Sequence, residues 1–495
     1  MTLSTQTRFL SLRALLTVAI AVAAASIVGC AGAEPTGETI LHEAYERLDQ
    51  LRGQKEQQLY DYFDHIEDLV QSVSQDQELV QAFAELRSRF LGKPVRGARS
   101  VGELENAIRG RYLDAYQVFF DLHFIEAGGD VFYSIRKQDD LFHNVFEGEL
   151  NSWQLAGLLD ESSGSAAVDF HYAEFSAEPS AFFAEPVRYR GEHAGWVVFQ
   201  FASARLAEIF EFDSSLGQTG EVFLVNEQHF MLTQSALTAS SSILEQTLSA
   251  ENIESKFAAG EGHKVITDYR GYEALSSFAV CEVMGLRWLL IAKIDKAEVL
   301  TEAYLKHEDT YYPRMREELR QAPIRVAEGL PPRPTRTVHL DRFERITQGG
   351  SLFTPGVSTC TAIVISLPGE FAYLAHVSPY DLAYGGTKTD LIHTILHRIR
   401  EFEVPDSRVR ELEVVVVTPQ IRYSESIVHE LAEAGIFLSQ IRFLKNPKAR
   451  CADVFYEFET NRTSILWCYG NEFRRTELQL AEHAADLASV FGSLL

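Results

Sequence analysis

The sequence predicts a multidomain α+β protein: a long N-terminal helix carrying two antiparallel sheet modules, followed by a separate α/β unit. Three observations carry that reading. Apolar residues recur at helical spacing from Ile40 to Val73. From about Tyr112 the period falls to two, in two successive sets of strands. Beyond a Pro-rich connector near 322–335, strands alternate with helices. At 495 residues the chain is too long for one core, since a domain takes roughly 100–200 residues.

A hydrophobic fraction of 46% and a charged fraction of 23% are those of folded globular domains, which excludes collagen-like, disordered and polytopic membrane classes. The formal net charge of -25 repels phosphate backbones, so nucleic acid is not an expected partner. At the N-terminus, Arg8 and Arg13 precede an apolar run from Ala14 to Gly29 that ends at Cys30, the pattern of a signal peptide over residues 1–29. Ile27-Val28-Gly29-Cys30 resembles the bacterial lipobox, which implies that Cys30 is lipidated. Residues 30–39 are then a tether that holds the rest of the chain to a membrane of the cell envelope, facing the periplasm or exterior. An uncleaved signal anchor is the alternative, because the run is only slightly shorter than the ~20 residues that span a bilayer. Both place the chain outside the cytoplasm. Cys281, Cys360, Cys451 and Cys468 remain, without metal-ligand spacing. A Cys451–Cys468 disulfide across the hairpin they flank is one option, and the connectivity stays open.

The elements follow in order. Leu41, Tyr45, Leu48, Leu59, Phe63, Ile66 and Val70 make one helical stripe, and Ser74-Gln75-Asp76-Gln77 reads as a capping box opening a second helix through Leu79, Phe83 and Leu86. DLHFIEAGGDVFYSI turns at Gly128-Gly129-Asp130, and AFFAEPVRYRGEHAGWVVFQF turns near Gly191. A similar second set, GEVFLVNEQHFMLTQS, KVITDYRGYEALSSFAV and GLRWLLIAKI, follows. Lys296 to Arg320 reads as an exit helix, with residues 305–334 forming helix end and linker. From residue 335 to 495 come the strands CTAIVIS, FAYLAHV, ELEVVVVTP, DVFYEFE and TSILWCY, with helices over TDLIHTILHRIREF, SESIVHELAEAG and, at the end, AEHAADLASVF.

The stretches LRGQKEQQLYDYFDHIEDLVQSVSQDQELVQAF, DFHYAEFSAEPSAFFAEPV, GQTGEVFLVN and DYRGYEALSSFAVCEVMGLRWLLIAKID, in that order, resemble the double Cache family of extracytoplasmic sensors over residues 40–304. The resemblance implies two PAS-like modules on a long helix, a distal one over about 110–210 and a proximal one over about 217–295. It also implies a small-molecule ligand in the distal module. Tyr133, Asp169, Tyr172 and Phe182 fall near the segments that line that pocket in the family. Aromatic walls with one carboxylate suit a small cationic or polar ligand; the alternative is that the aromatics are core and Asp169 caps a loop.

In the last unit, SLFTPGVSTCTAIVISLPGEFAYLAHVSP sets Cys360 at the start of one strand and His376 at the end of the next. A free thiol has a pKa of about 8.5, so nucleophilic catalysis needs an imidazole beside it and a third group to orient the ring. Thr354 can supply that group. A buried structural cysteine beside an incidental histidine is the competing explanation. The stretch is similar to the chemoreceptor glutamine deamidases of bacterial chemotaxis (CheD-type), with Thr354, Cys360, His376 and Pro379 in the places of that family's threonine, nucleophile, histidine and proline. The likeness runs from about Thr335 to Trp467. Ser358-Thr359 stand where the family has Gly-Ser, and Gly369-Glu370 where it has a glycine pair. The resemblance implies hydrolysis of a glutamine carboxamide on a protein substrate or receptor in the envelope: His376 takes the Cys360 proton, the thiolate attacks, backbone N–H groups near 358–361 hold the oxyanion, and water cleaves the thioester. No cofactor and no metal is called for. A non-catalytic sensor whose last unit binds a partner is the alternative.

Overall fold

The computed structural model describes residues 37–486 apart from 94–98, 115–117, 138–139, 148–153, 162–163, 173–178, 212–213, 308–310, 312, 314–332, 380–390, 421–423, 470–475 and 481–484. The apolar run, the lipobox-like tetrapeptide and Cys30 lie outside the described residues, as does most of the Pro-rich connector. Among the described residues no helix is long and apolar enough to cross a membrane.

Helix α1 (Gly37–Ser74) buries Leu48, Leu51, Leu59, Phe63, Ile66 and Val70 along one stripe, the spacing of an amphipathic helix laid on a core. Helix α2 (Gln77–Phe90) follows after a tight corner. The capping box expected from Ser74 does not form. Ser74 still belongs to the last turn of α1 and donates its hydroxyl to the Gln71 carbonyl at 2.9 Å. Asp76 caps α2 instead, accepting from the Glu78 backbone N–H at 2.9 Å. A reciprocal box does open α3 (Val101–Ile108), where Ser100 and Glu103 satisfy each other's backbone amides.

Strands β1 (Asp121–Glu126), β2 (Val131–Ser134), β3 (Ala166–His171), β4 (Ser180–Tyr189) and β5 (Glu192–Ala202) form an antiparallel sheet in the order 2-1-5-4-3. The β1–β2 turn needs Gly129, whose φ is +98° and where a Cβ would meet the Phe146 ring at 2.5 Å. One sheet face packs on α1 and α2 through Phe124, Phe183, Phe199 and Phe201. The other, with Ile125, Phe182, Trp196 and Val198, lies against α4 (Gln154–Glu161). Strands β6 (Glu221–Asn226), β7 (Glu261–Thr267), β8 (Glu273–Val283) and β9 (Leu286–Asp295) form a second antiparallel sheet, ordered 6-9-8-7, with α5 (Ala250–Ala259) between β6 and β7 in sequence. Helix α6 (Lys296–Lys306) leaves β9 directly; its expected continuation towards Arg320 falls mostly outside the described residues.

The last unit contains β10 (Arg336–Thr337), β11 (Arg342–Ile346), β12 (Ser351–Val357), β13 (Thr361–Leu367), β14 (Phe371–Val377), α7 (Leu391–Phe402), β15 (Glu413–Thr418), α8 (Ser424–Glu433), β16 (Ile441–Lys445), β17 (Cys451–Glu457), β18 (Arg462–Cys468), β19 (Thr476–Leu480) and β20 (Ala485–Asp486). Two sheets result, ordered 10-12-17-18-19 and 11-14-13-15-16-20. They share a core of Val357, Val364, Leu374, Val454, Ile465 and Trp467. Strand β15 reads EVVVVT without alternation because both its faces are buried, and α8 provides the crossover to the parallel β16. The terminal helix expected over AEHAADLASVF is corrected at its described part: Ala485 and Asp486 form β20, pairing with Phe443 and Arg442. The free edge of β16 offers unpaired backbone groups there, which a strand satisfies and a helix would not.

The first half, residues 37–306, and the last unit are joined by one core. Leu48, Leu275, Ile294, Val299 and Tyr304 belong to the same buried cluster as Ile363, Tyr373, Ile399, Val416, Ile427 and Leu438. Around it, the Leu438 N–H donates to Thr301 Oγ1 at 3.1 Å. Arg410 pairs with the fully buried Asp295 and lies 3.9 Å from the centre of the Tyr272 ring.

A shared core predicts shared stability. Leu48→Ala, at 0% exposure, is expected to cost about 2–5 kcal/mol. Hydrogen exchange should quicken in β13 and β14 as well as in β8 and β9. Wild-type exchange in β13–β14 beside loosened β8–β9 would mean that the halves unfold independently.

Candidate functional sites

Strand β12 brings Thr354 against β14, and the register of β13 with β14 sets Ala362 opposite His376. Thr354 Oγ1 lies 2.7 Å from His376 Nδ1 and donates its own hydrogen to the Val338 carbonyl at 2.9 Å. With that proton committed, the hydroxyl oxygen can only accept from the ring, so His376 carries its proton on Nδ1. Nε2 is then a lone pair, and among the described residues it has no hydrogen-bond partner. Burial lowers the pKa of His376, against an opposing pull from Asp341, which favours the neutral imidazole a general base requires.

Cys360 is half-buried at the mouth of β13 and packs on the inter-sheet core. It stands two residues before Ala362, so strand alternation puts it on the same face as His376, in the diagonal cross-strand position that separates residues by about 7–8 Å. Burial pushes its thiol pKa up, and the Asp341 carboxylate adds to this; hydrogen bonds from the Thr359 side chain and the Ser358 backbone act the other way. Thr354 and His376 are joined by a hydrogen bond, and Cys360 shares their face without one.

Two groups here had no signal in the motif. Val338 supplies the carbonyl that fixes the Thr354 hydroxyl. Asp341, at φ 55°, donates its backbone N–H to the His376 carbonyl at 2.8 Å and accepts from the Ser378 N–H at 2.9 Å, pinning the end of β14. Both lie in the short connection before β11, whose position over the site depends on sheet pairing.

The four residues proposed for the ligand do not converge. Tyr133 is buried on the α1–α2 face, 5.0 Å from Phe124 ring to ring, whereas Phe182 is buried on the opposite, α4 face. Asp169 accepts from Trp288 Nε1 at 2.9 Å, tying β3 to β9, and burial pushes its pKa up to about 6. Tyr172 is 52% exposed. The period of two separates residues that the family resemblance had grouped.

The polar groups of the first sheet gather elsewhere. His123 is fully buried on the Phe182 face, with Nδ1 2.7 Å from Asp140 Oδ2 and Nε2 3.2 Å from Gln200 Oε1. Gln200 donates to Ser180 Oγ at 2.9 Å, and Ser134 donates to Asp121 Oδ2 at 2.8 Å. Burial opposes a charged imidazole, but the Asp140 and Asp121 carboxylates outweigh it and push the pKa of His123 up to about 9. The signal was present in DLHFIE, where Asp121 and His123 take inward positions alongside Ile125.

No protein-family model matches this chain, and no curated protein matches it in sequence. Among solved structures it is similar to an extracellular ligand-binding receptor from Desulfohalobium retbaense, at 14% identity and a TM-score of 0.36 over 49% of this chain. The match spans 39% of that receptor's length. It is also similar to the ligand-binding domain of an amino-acid chemoreceptor of Pseudomonas aeruginosa in complex with L-glutamine, at 15% identity, 52% of this chain, 91% of that one and a TM-score of 0.33. A third is the periplasmic sensory domain of a Campylobacter jejuni chemoreceptor, at 13% identity, 51% and 95% coverage and a TM-score of 0.37.

The raised pKa of His123 has a pH signature. A histidine raised from its ordinary 6.5 to about 9 on folding contributes stability that is complete below the lower value and lost as pH rises through the upper one. The Tm advantage of the wild type over His123→Gln is therefore expected to be largest at slightly acidic pH and to shrink towards pH 9 and beyond. An advantage that is flat or grows across that window would show that His123 is neutral in the fold.

Proposed function

We propose that this protein is a small-ligand sensor of the double Cache type joined to a thiol amidohydrolase that resembles the protein-glutamine deamidases. The observation that carries the enzymatic half is the Val338–Thr354–His376 chain of hydrogen bonds, which commits the Nδ1 proton and leaves the Nε2 lone pair on the face that holds Cys360. A neutral imidazole so oriented can accept the thiol proton as a carboxamide binds; such contacts are commonly loose before substrate arrives and tighten with it. The thiolate then adds to the amide carbon, the Ser358 N–H and its neighbours steady the oxyanion, ammonia departs with the proton returned by His376, and water releases the acid.

The sensor half rests on the 2-1-5-4-3 sheet borne on α1, the second sheet beside it, and the polar cluster of His123, Asp140, Gln200 and Ser180 on the α4 face. A small polar ligand is the class that the double Cache resemblance implies.

A second reading has its own support. The Cys360 thiol is pushed up by burial and by Asp341, which favours a retained fold that binds a partner without catalysis.

Incubation of the reduced full-length protein with glutamine-containing peptides is expected to release ammonia. Cys360→Ala should abolish release, and Thr354→Ala should slow it on the order of 10²-fold through loss of ring orientation. Alkylation separates the two readings. At pH values about two units below the free-thiol pKa of about 8.5, Cys360 should react with iodoacetamide faster than an ordinary thiol, and His376→Ala should remove the excess. An ordinary rate that His376→Ala leaves unchanged would favour the binding module.

For the sensor, thermal shift against amino acids, amines and carboxylates should find a stabilising compound, since a ligand at 100 times its Kd adds about 2.7 kcal/mol. A flat response across all three classes would count against ligand sensing.

A further inference from the structure

We propose that Cys451 and Cys468 are a disulfide-forming pair that locks the β17–β18 hairpin of the last unit. This goes beyond the proposed activity and does not depend on it. The two residues stand directly opposite each other in the antiparallel register, at the start of β17 and the end of β18. Opposed residues in such a ladder have Cα atoms about 4.5 or 5.5 Å apart, depending on the hydrogen-bonding site. Both spacings fall within the roughly 4.4–6.8 Å that a disulfide spans without backbone movement. Directly opposed residues project to the same side of the sheet, and both cysteines are free thiols.

The other cysteines of the described chain are placed differently. Cys281 lies fully buried on β8 in the sensor-like half, and Cys360 lies on the facing sheet at β13. The pair itself is asymmetric. Cys451 is half-buried at a strand end, whereas Cys468 is buried and its thiol is pushed up to about 12, chiefly by that burial. Cys451 is therefore the sulfur that meets an external oxidant, and Cys468 is the resolving thiol.

The chemistry is thiol–disulfide exchange with a disulfide donor. The Cys451 thiolate attacks one donor sulfur, forming a mixed disulfide and releasing the donor's other half as a thiolate, which takes up the proton Cys451 lost. Cys468 then gives up its proton and attacks the Cys451 sulfur, expelling the second half as a thiol. Two protein S–H groups are lost, one S–S bond forms, and the donor disulfide is reduced to two thiols. The bond would brace the sheet that carries the candidate site, because β17 lies between β18 and β12 and pairs Val454 with Thr354.

The test is peptide mapping of the full-length protein after treatment with oxidised glutathione, without reduction. Arg462 lies between the two cysteines, so trypsin separates them. The expected product is one linked species joining the Cys451 and Cys468 peptides, lighter than their sum by two hydrogens. Oxidation should also raise Tm by several degrees in the wild type but not in Cys451→Ser or Cys468→Ser. Cysteines found reduced, held only as glutathione adducts, or linked to Cys281 or Cys360 would overturn the proposal. Iodoacetamide labelling of Cys360 in the same samples reports separately on the thiol-enzyme reading, so the two ideas can fail independently.

Discussion

Leu48 on α1, Ile294 on β9 and Tyr304 on α6 share one buried cluster with Ile363 and Tyr373 of the last unit and with the helices α7 and α8 that cover them. Neither half can expose that surface without cost, since burying each large aliphatic side chain is worth roughly 1.5–3 kcal/mol. The polar contacts at the margin reinforce the arrangement. Asp295 is fully buried and receives both Arg270 from its own sheet and Arg410 from the last unit. Removing one partner of such a set costs about 3–5 kcal/mol, because the remaining charge stays buried. The position of the last unit on the first half is thus set by packing and by charge at once.

The candidate site inherits this constraint through a single sheet. Along β13 and β14, Ile363, Tyr373 and Ala375 face the shared core, whereas Ala362, Leu374 and His376 face the space between the two sheets of the last unit. The imidazole is therefore separated from the sensor-facing packing by the thickness of one strand layer.

The first sheet combines an apolar face with a polar one. Its α1–α2 side is almost wholly aromatic and aliphatic, while its α4 side interrupts Ile125, Phe182 and Val198 with Asp121, His123 and Gln200. Burying that many polar groups is unfavourable unless they are paired; His123 is paired with Asp140 through Oδ2 and with Gln200, and the carboxylates hold the histidine well above its ordinary pKa.

The sequence by itself determined the elements and the local chemistry. Apolar spacing along α1, the turn between β4 and β5, the unbroken VVVV of β15, and the separation of Thr354, Cys360 and His376 along the chain were all legible, because periodicity and loop length act over a few residues. Tertiary structure decided which residues meet. Tyr133 and Phe182 both belong to the first sheet, as the resemblance implies, yet the pleat sends them to opposite faces. Ser74 yields the α2 cap to Asp76 because α1 runs one residue too far. Ala485 becomes strand because β16 has a free edge. The roles of Val338 and Asp341 follow from contacts between segments well separated in the chain, and even the local β17–β18 hairpin needed its exact register to set Cys451 opposite Cys468. Such pairings depend on register and burial across the whole fold, which no local window of residues contains.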